Sequence, residues 1–208
     1  MREFPTSQQR RIGLTGGIST GKTTISNYLA HHHQLPILDA DIYAKEAVQP
    51  GSPILSEIFE RYGVAVKLPD GTLNRKCLGE IIFNNLDEKQ WLEQQIHPYV
   101  RDRFQSELDT VIAPTVVLVI PLLFEAEMTD LVTEIWVVCC SPEQQLQRMM
   151  ERDHLSLEQA QARINNQLSL KEKMARADVV LDNSSTLEAL LEQVDQLIMN
   201  NPSSIANS

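Results

Sequence analysis

A chain of 208 residues, 42% hydrophobic and 22% charged, is long enough for one well-filled α/β core with an inserted subdomain and short for two independent domains. Its formal net charge of −10 argues against a general nucleic-acid or membrane-surface binder, which concentrates Lys and Arg, so basic residues have to be used locally. Cys139 and Cys140 are adjacent and Cys77 is distant, which makes neither a disulfide framework nor a metal-ligand set. No apolar run approaches the ~20 residues of a membrane span and no signal-peptide core is visible, so a cytoplasmic protein is expected.

Residues 1–10 lack periodicity and read as an irregular leader, as does the tail from Asn200. The apolar run Ile12-Gly13-Leu14-Thr15 predicts a short buried strand. Gly16-Gly17-Ile18-Ser19-Thr20-Gly21-Lys22-Thr23 then fits the phosphate-loop pattern G-x-x-x-x-G-K-[ST] at every fixed position. Lys22 to His33 can form a helix with Ile25, Tyr28 and Leu29 turned inward. Gly16 and Gly21 permit backbone angles that let successive N–H groups face one concavity, and the helix N-terminus adds partial positive charge. Lys22 is placed to bridge the β- and γ-phosphates of a nucleoside triphosphate, and the Thr23 hydroxyl to ligate Mg²⁺. His31-His32-His33 invites a metal reading, but consecutive helical residues point in different directions and the run falls where the helix should end. It is read as a solvated helix terminus.

Leu35-Pro36-Ile37-Leu38 predicts a second strand ending in Asp39-Ala40-Asp41, two carboxylates at the edge where open α/β sheets bind ligands. If the extended conformation persists, period two puts both on one side; the other reading is that Asp41 caps a helix starting at Ile42. From Ile42 to about Asp109 the pattern is helical, broken at residues 49–53 and 68–72. That is too long for one crossover and reads as a helical insert able to close over an acceptor. His97-Pro98 places His97 at a bend between helical runs, as consistent with a structural role as with a substrate contact.

Thr115–Ile120 predicts a central buried strand, followed by Pro121-Leu122-Leu123-Phe124-Glu125. Glu134–Cys140 predicts another, and Ser141-Pro142-Glu143-Gln144 the start of a helix. Cys139 and Cys140 are then small apolar fillers rather than a redox pair. Between Gln144 and Ala177 stand Arg148, Arg152, Arg163, Lys171, Lys173 and Arg176, with Arg148 and Arg152 four apart on one face and Ser156-Leu157-Glu158-Gln159 opening a second helix. A helical hairpin carrying arginines suits a lid that delivers charge to a transferring phosphoryl group. A solvated face balanced by Glu143, Glu151, Asp153 and Glu158 is equally compatible. Val179-Val180-Leu181 predicts a fifth strand, with Asn183 just past it, placed either to read a base edge or to form a turn. Ser185-Thr186-Leu187-Glu188 caps a last amphipathic helix to about Met199.

In this order the motifs resemble the dephospho-CoA kinase family from about Arg11 to Met199. They are Leu14-Thr15-Gly16-Gly17 and the phosphate loop, Asp39-Ala40-Asp41, Glu46-Ala47-Val48 with Pro50-Gly51, Asp70-Gly71-Thr72-Leu73, His97-Pro98, the segment 121–125, the Arg148/Arg152 helix and Asp182-Asn183. The resemblance implies transfer of the ATP γ-phosphate to the ribose 3′-hydroxyl of dephospho-CoA, the last step of coenzyme A synthesis. It implies Asp41 as the base or aiming group for that hydroxyl, Lys22 and Arg148 as charge-neutralising catalytic groups, and Gly17, Ile18, Ser19, Thr20, Gly21, Lys22, Thr23, Thr24, Arg148 and Asn183 around ATP. It further implies His97 and Leu122 beside the acceptor, and Mg²⁺ on Thr23 with Asp39 through water. One departure is visible: Ser19 and Thr20 stand where the family loop usually has Gly and Ser, which should stiffen the loop slightly.

The expected architecture is a P-loop NTPase-type α/β/α core with a five-stranded parallel sheet (about 11–41, 111–141 and 177–200), a helical substrate insert (about 42–110) and a helical lid (about 142–176). The expected partners are ATP and dephospho-CoA, with no nucleic acid and no membrane, in a monomer or weak homo-oligomer. A nucleoside or nucleoside-monophosphate kinase shares the loop, the carboxylate edge and the arginines; a non-enzymatic nucleotide switch shares only the first of these by need.

Overall fold

After Arg10 and Arg11, residues 12 to 16 are all apolar or small, and the seven together form β1 (Arg10–Gly16), whose last five residues are buried. In the computed structural model, which describes residues 9–200, β1 lies at the centre of a five-stranded sheet. The other strands are β2 (Ile37–Asp39), β3 (Thr115–Val119), β4 (Glu134–Cys139) and β5 (Val179–Asp182), in the spatial order β2-β3-β1-β4-β5. β1 runs parallel to β3, with Ile12 opposite Val117, and to β4, with Leu14 opposite Trp136; β5 runs parallel to β4. Parallel pairing needs crossovers that cover both sheet faces, which is why β3 is buried at every residue.

The chain divides into two units, one of Met1–Leu38 with Thr110–Ser208 and the other of Asp39–Asp109. In the first unit, α1 (Lys22–His31) and α9 (Leu187–Met199) pack on one sheet face, where Ile12, Leu14, Val117, Val119, Trp136, Val138 and Leu181 meet Ile25, Leu29, Leu190 and Val194. The strand residues in that set are two apart, as strand periodicity requires. Each such Ile or Leu contributes about 1.5–3 kcal/mol by leaving water. Tyr28 is partly buried against this cluster. The same unit carries α6 (Pro142–Asp153), α7 (Leu157–Asn165) and α8 (Leu170–Ala175), each opened by a reciprocal Ser and Gln or Glu capping box.

The second unit is helical: α2 (Ala40–Glu46), α3 (Pro53–Tyr62) continuing into a 3₁₀ turn at Gly63–Val66, α4 (Arg75–Asn84) and α5 (Leu86–Leu108). Its core gathers Ala47, Val48, Leu55, Ile58, Val66, Leu73, Leu78 and Leu92. Tyr43 of α2 meets Phe104 of α5 edge to face at 5.0 Å. Glu88 near the start of α5 accepts both Arg61 nitrogens at 2.6 and 3.0 Å and the Tyr62 hydroxyl at 2.5 Å, while the Arg61 guanidinium covers the Trp91 ring at 4.5 Å.

Four local expectations change. The extended conformation does not persist past Asp39: α2 already starts at Ala40, and Asp39, not Asp41, is the cap, its Oδ1 accepting the Asp41 N–H at 2.8 Å. His97 is not at a bend between helices, because α5 continues through Pro98 without interruption of its 23 residues; a helix this long and packed tolerates the one N–H that proline lacks. The basic stretch holds a third helix, α8, beyond the expected hairpin. Of the expected leader, residues 1–8 lie outside the described residues, as does the tail after Asn200, while Gln9 and Arg10 are held in place: the Gln9 amide donates to Val111 O at 3.0 Å and Ala113 O at 2.9 Å, and Arg10 begins β1.

Candidate functional site

The phosphate loop bridges the C-terminal end of β1 and the start of α1, and its backbone takes conformations that only glycine holds cheaply. Gly16 has φ 149° and Gly21 φ 105°. A Cβ on Gly16 would lie 2.4 Å from Val138 O, and one on Gly21 would lie 2.3 Å from the Asn183 amide nitrogen. No side chain caps the N-terminus of α1, so its first-turn amides point out of the helix end toward the loop. The Lys22 ammonium folds over the loop and donates to Gly16 O at 3.2 Å and Gly17 O at 2.6 Å. Thr23 and Thr24 are exposed in the first turn of α1, and Ile18 is half-buried. Ser19 occupies φ 59°, a left-handed conformation that costs a non-glycine residue about 1 kcal/mol. This is the physical content of the departure noted in the loop sequence.

Two side chains from far along the chain fix the loop's shape. Gln145, buried on α6, donates its amide to Ile18 O at 2.9 Å. Asn183, just past β5, donates its amide to Thr20 O at 2.8 Å, and Thr20 itself, fully buried, donates its hydroxyl to Gly17 O at 2.9 Å. Asn183 therefore supports the loop through its side chain. Gln145 carried no signal in the sequence, since nothing in a glutamine one turn into a helix announces a partner 127 positions away.

The basic stretch separates into distinct jobs. Arg152 is spent on Asp153, with nitrogens at 2.8 and 2.9 Å, and Arg163 approaches the same carboxylate at 3.6 Å. Lys173 is fully buried, its ammonium 2.9 Å from Glu125 Oε1 and 3.0 Å from Pro121 O. Glu125 Oε1 also accepts the Leu168 N–H at 2.9 Å, and Arg176 stacks on Phe124 at 4.2 Å, so α8 is tied to the turn that follows β3. Half-buried Leu122 lies in that turn. Arg148 differs from all of these. Its Nη2 donates to Asn183 O at 3.0 Å, while its Nη1 is buried without a hydrogen-bond partner; the Ser19 hydroxyl in the loop is likewise buried and without one. Arg10 Nη1, Thr115 Oγ1 and Trp136 Nε1 are also buried without a partner, but Ser19 lies in the phosphate loop and Arg148 bonds the Asn183 that holds it, so these two donors mark a place for an acceptor beside the loop. An anion carrying phosphate oxygens supplies such acceptors, so the residues present fit a nucleoside triphosphate.

In the second unit, Asp39 and exposed Asp41 stand at the start of α2. Burial is the main cause that raises the Asp39 carboxyl above its ordinary value, with the Asp41 charge adding, against the hydrogen bond from the Asp41 amide and the charge of Lys45. A carboxylate in that state suits a hard cation, whose charge offsets desolvation. A cavity of about 270 Å³ opens beside Asp41, with Lys45 and Arg75 as its cations and Val48, Leu78, Ile82 and Leu92 among its apolar walls. Arg75 Nη2 reaches Lys45 O at 3.3 Å. His97 is half-buried on α5 and does not line this cavity, although its neighbour Ile96 does. Burial pushes the His97 imidazole below its ordinary value, with Glu93 partly opposing. Cys139 and Cys140 are buried, unpaired thiols pushed up by burial, which fits inert packing.

The chain is similar to known proteins over most of its length. The family profile described as Dephospho-CoA kinase matches residues 10–189. A dephospho-CoA kinase of Trichormus variabilis is 70% identical over 187 residues, covering 90% of this chain and 95% of that one. Among solved structures, TT1252 from Thermus thermophilus superposes with a TM-score of 0.79 at 32% identity, covering 93% of this chain and 98% of its own. The dephospho-CoA kinase from Campylobacter jejuni superposes with a TM-score of 0.67 at 28% identity, covering 93% and 100%. With the family profile spanning the sheet, the phosphate loop and the helical unit alike, the chain belongs to the dephospho-CoA kinase family.

Proposed function

We propose that this chain transfers the γ-phosphate of ATP to the ribose 3′-hydroxyl of dephospho-CoA, giving CoA and ADP as the last step of coenzyme A synthesis, with the donor held by the sheet unit and the acceptor by residues 39–109. The observation that carries the donor half is the pair of buried, unpartnered donors, Arg148 Nη1 and Ser19 Oγ, beside a loop whose concave shape is fixed from outside by Gln145 and Asn183. The segment 142–176 acts as the lid, and within it Arg148 is the phosphate contact, because Arg152, Arg163 and Lys173 are engaged by carboxylates.

Phosphoryl transfer through a loose transition state asks the protein mainly to aim and to neutralise. Lys22 and Arg148 neutralise charge on the phosphate oxygens. Mg²⁺, which oxygen donors such as the Thr23 hydroxyl and the Asp39 carboxylate suit, adds to that neutralisation when bound. Asp41 orients the 3′-hydroxyl and takes its proton late. The cavity beside Asp41 lies at the small end of ligand pockets, so it holds one end of the acceptor, with Lys45 and Arg75 pairing to acceptor phosphate. Within this reading His97 and Leu122 flank the acceptor path, and Thr24 and Asn183 complete the nucleotide site. The protein works in the cytoplasm as a monomer or weak homo-oligomer.

Coupled ADP-release assays with dephospho-CoA, AMP, a nucleoside and no acceptor test this. Turnover with dephospho-CoA alone is expected. Turnover only with AMP, or steady hydrolysis that no acceptor stimulates, contradicts it.

A further inference from the structure

The three histidines that end α1 do not behave as a merely solvated terminus. His31 is exposed, but the His33 side chain is only 13% exposed and its Nε2 lies 2.8 Å from Asp195 Oδ1 on α9. Tyr28, one turn earlier on α1, donates its hydroxyl to both Asp195 oxygens at 2.9 and 3.0 Å. The same tyrosine ring stacks flat on His32, with centroids 4.8 Å apart and planes 10° apart. Two imidazoles and one carboxylate thus present ligand atoms that all lie within 4.8 Å of one another. They come from opposite ends of the sequence, and the phosphate site uses none of them: α1 carries the cluster a helix length, about 15 Å, away from Lys22.

We propose that His32, His33 and Asp195 form a binding site for a borderline divalent transition ion, with Zn²⁺ the best match. The donor set decides the class of ion. Two imidazole nitrogens and one carboxylate oxygen suit zinc and its neighbours, whereas Mg²⁺ takes oxygen ligands and keeps its waters. Three protein ligands leave a fourth tetrahedral position for water.

The geometry needs little rearrangement. Ligands at about 2.0–2.1 Å from one ion sit about 3.3 Å apart in a tetrahedron. His33 Nε2 and Asp195 Oδ1 are already closer than that, so metal binding replaces their hydrogen bond: the Nε2 proton leaves to solvent or the imidazole shifts to its Nδ1–H tautomer, and both atoms then turn a lone pair to the metal. Only His32 has to swing inward, and it is an exposed side chain at the C-terminal cap of α1. Tyr28 supplies the surrounding support that metal sites depend on, because its hydroxyl orients the Asp195 carboxylate by hydrogen bonding. The bound ion would clamp α1, the helix that begins at the phosphate loop, to α9, and would raise the stability of the sheet unit by linkage.

The test uses full-length protein without a histidine tag, titrated with ZnCl₂ against a chromophoric chelator, with melting temperature followed in parallel. One Zn²⁺ per chain at micromolar concentration is expected, with a rise in Tm. His32→Ala and Asp195→Asn should each weaken binding at least tenfold and abolish the Tm shift, while His31→Ala leaves both unchanged. His33→Ala also removes a packed ring, so the exposed His32 carries the decision. Wild-type protein that binds no Zn²⁺ in this range, or a His32→Ala variant that binds it as tightly as wild type, overturns the proposal.

Discussion

The phosphate loop and the cavity beside Asp41 are built by different means. In the loop, eight contiguous residues form the concave turn, and hydrogen bonds from Gln145, Asn183 and Thr20 to backbone carbonyls set its shape. In the cavity, the walls come from α2, α4, α5 and the turn at Leu73, and packing of Val48, Leu78 and Leu92 sets the shape. A site made of backbone tolerates substitution of most of its own side chains, Lys22 excepted because its ammonium carries charge to the ligand, and it also leans on distant residues that hold its shape. A site made of side chains can be retuned one residue at a time. Donor recognition should therefore fail abruptly when perturbed, and acceptor recognition by degrees.

The largest expected effect tests the abrupt side. Lys22→Met removes the lysine ammonium from the loop and should lower kcat by about 10³, measured by ADP release at saturating substrates. Asp41→Asn comes next: kcat should fall about 10² with the KM for dephospho-CoA mostly retained, because aiming and proton uptake are lost while the cavity persists. An unchanged kcat would remove Asp41 from the mechanism. Arg75→Ala probes the graded side, and about a tenfold rise in the KM for dephospho-CoA with kcat held is expected from loss of one charge-assisted contact.

Asn183→Ala asks whether a remote holder matters to the loop. Losing the bond to Thr20 O should cost about 1 kcal/mol, seen as a Tm drop of about 2–4 °C, together with a severalfold rise in the KM for ATP. The smallest effect appears only in acid and belongs to the helical unit. Hydrogen bonds from Arg61, then Tyr62, hold the Glu88 carboxyl at about 2 against its ordinary 4.5. A depressed acid stabilises the fold above its unfolded value and loses that contribution as pH falls through its folded value. The Tm difference between wild type and Glu88→Gln should therefore be present at pH 7, shrink below about 4.5 and vanish toward 2.

What the sequence revealed follows the same division. The loop was legible because its chemistry is contiguous and its glycines are demanded by backbone angles. The strands were legible because burial on both faces leaves β-branched runs such as Thr115–Val119. The loop's holders were not, since Asn183 acts 163 positions from its partner and a turn asparagine looks the same with or without that duty. α8 left a signal in Ser169 and Glu172, a capping box hidden within a stretch dominated by its charges. Lys173 counted as one of those charges and proves to be a buried tie to Glu125, a distinction that only packing can make. The cap at Asp39 against Asp41 turned on where the strand's dihedrals end, which two alternating acids leave undecided.

Donor and acceptor recognition are expected to reside in separate units of the chain. Isothermal titration of ATP·Mg²⁺ and of dephospho-CoA into Lys22→Met and Arg75→Ala tests it most directly. Lys22→Met is expected to weaken ATP binding and leave dephospho-CoA binding within twofold, and Arg75→Ala to do the reverse. Loss of both ligands in either variant, or loss of ATP alone in Arg75→Ala, would contradict it.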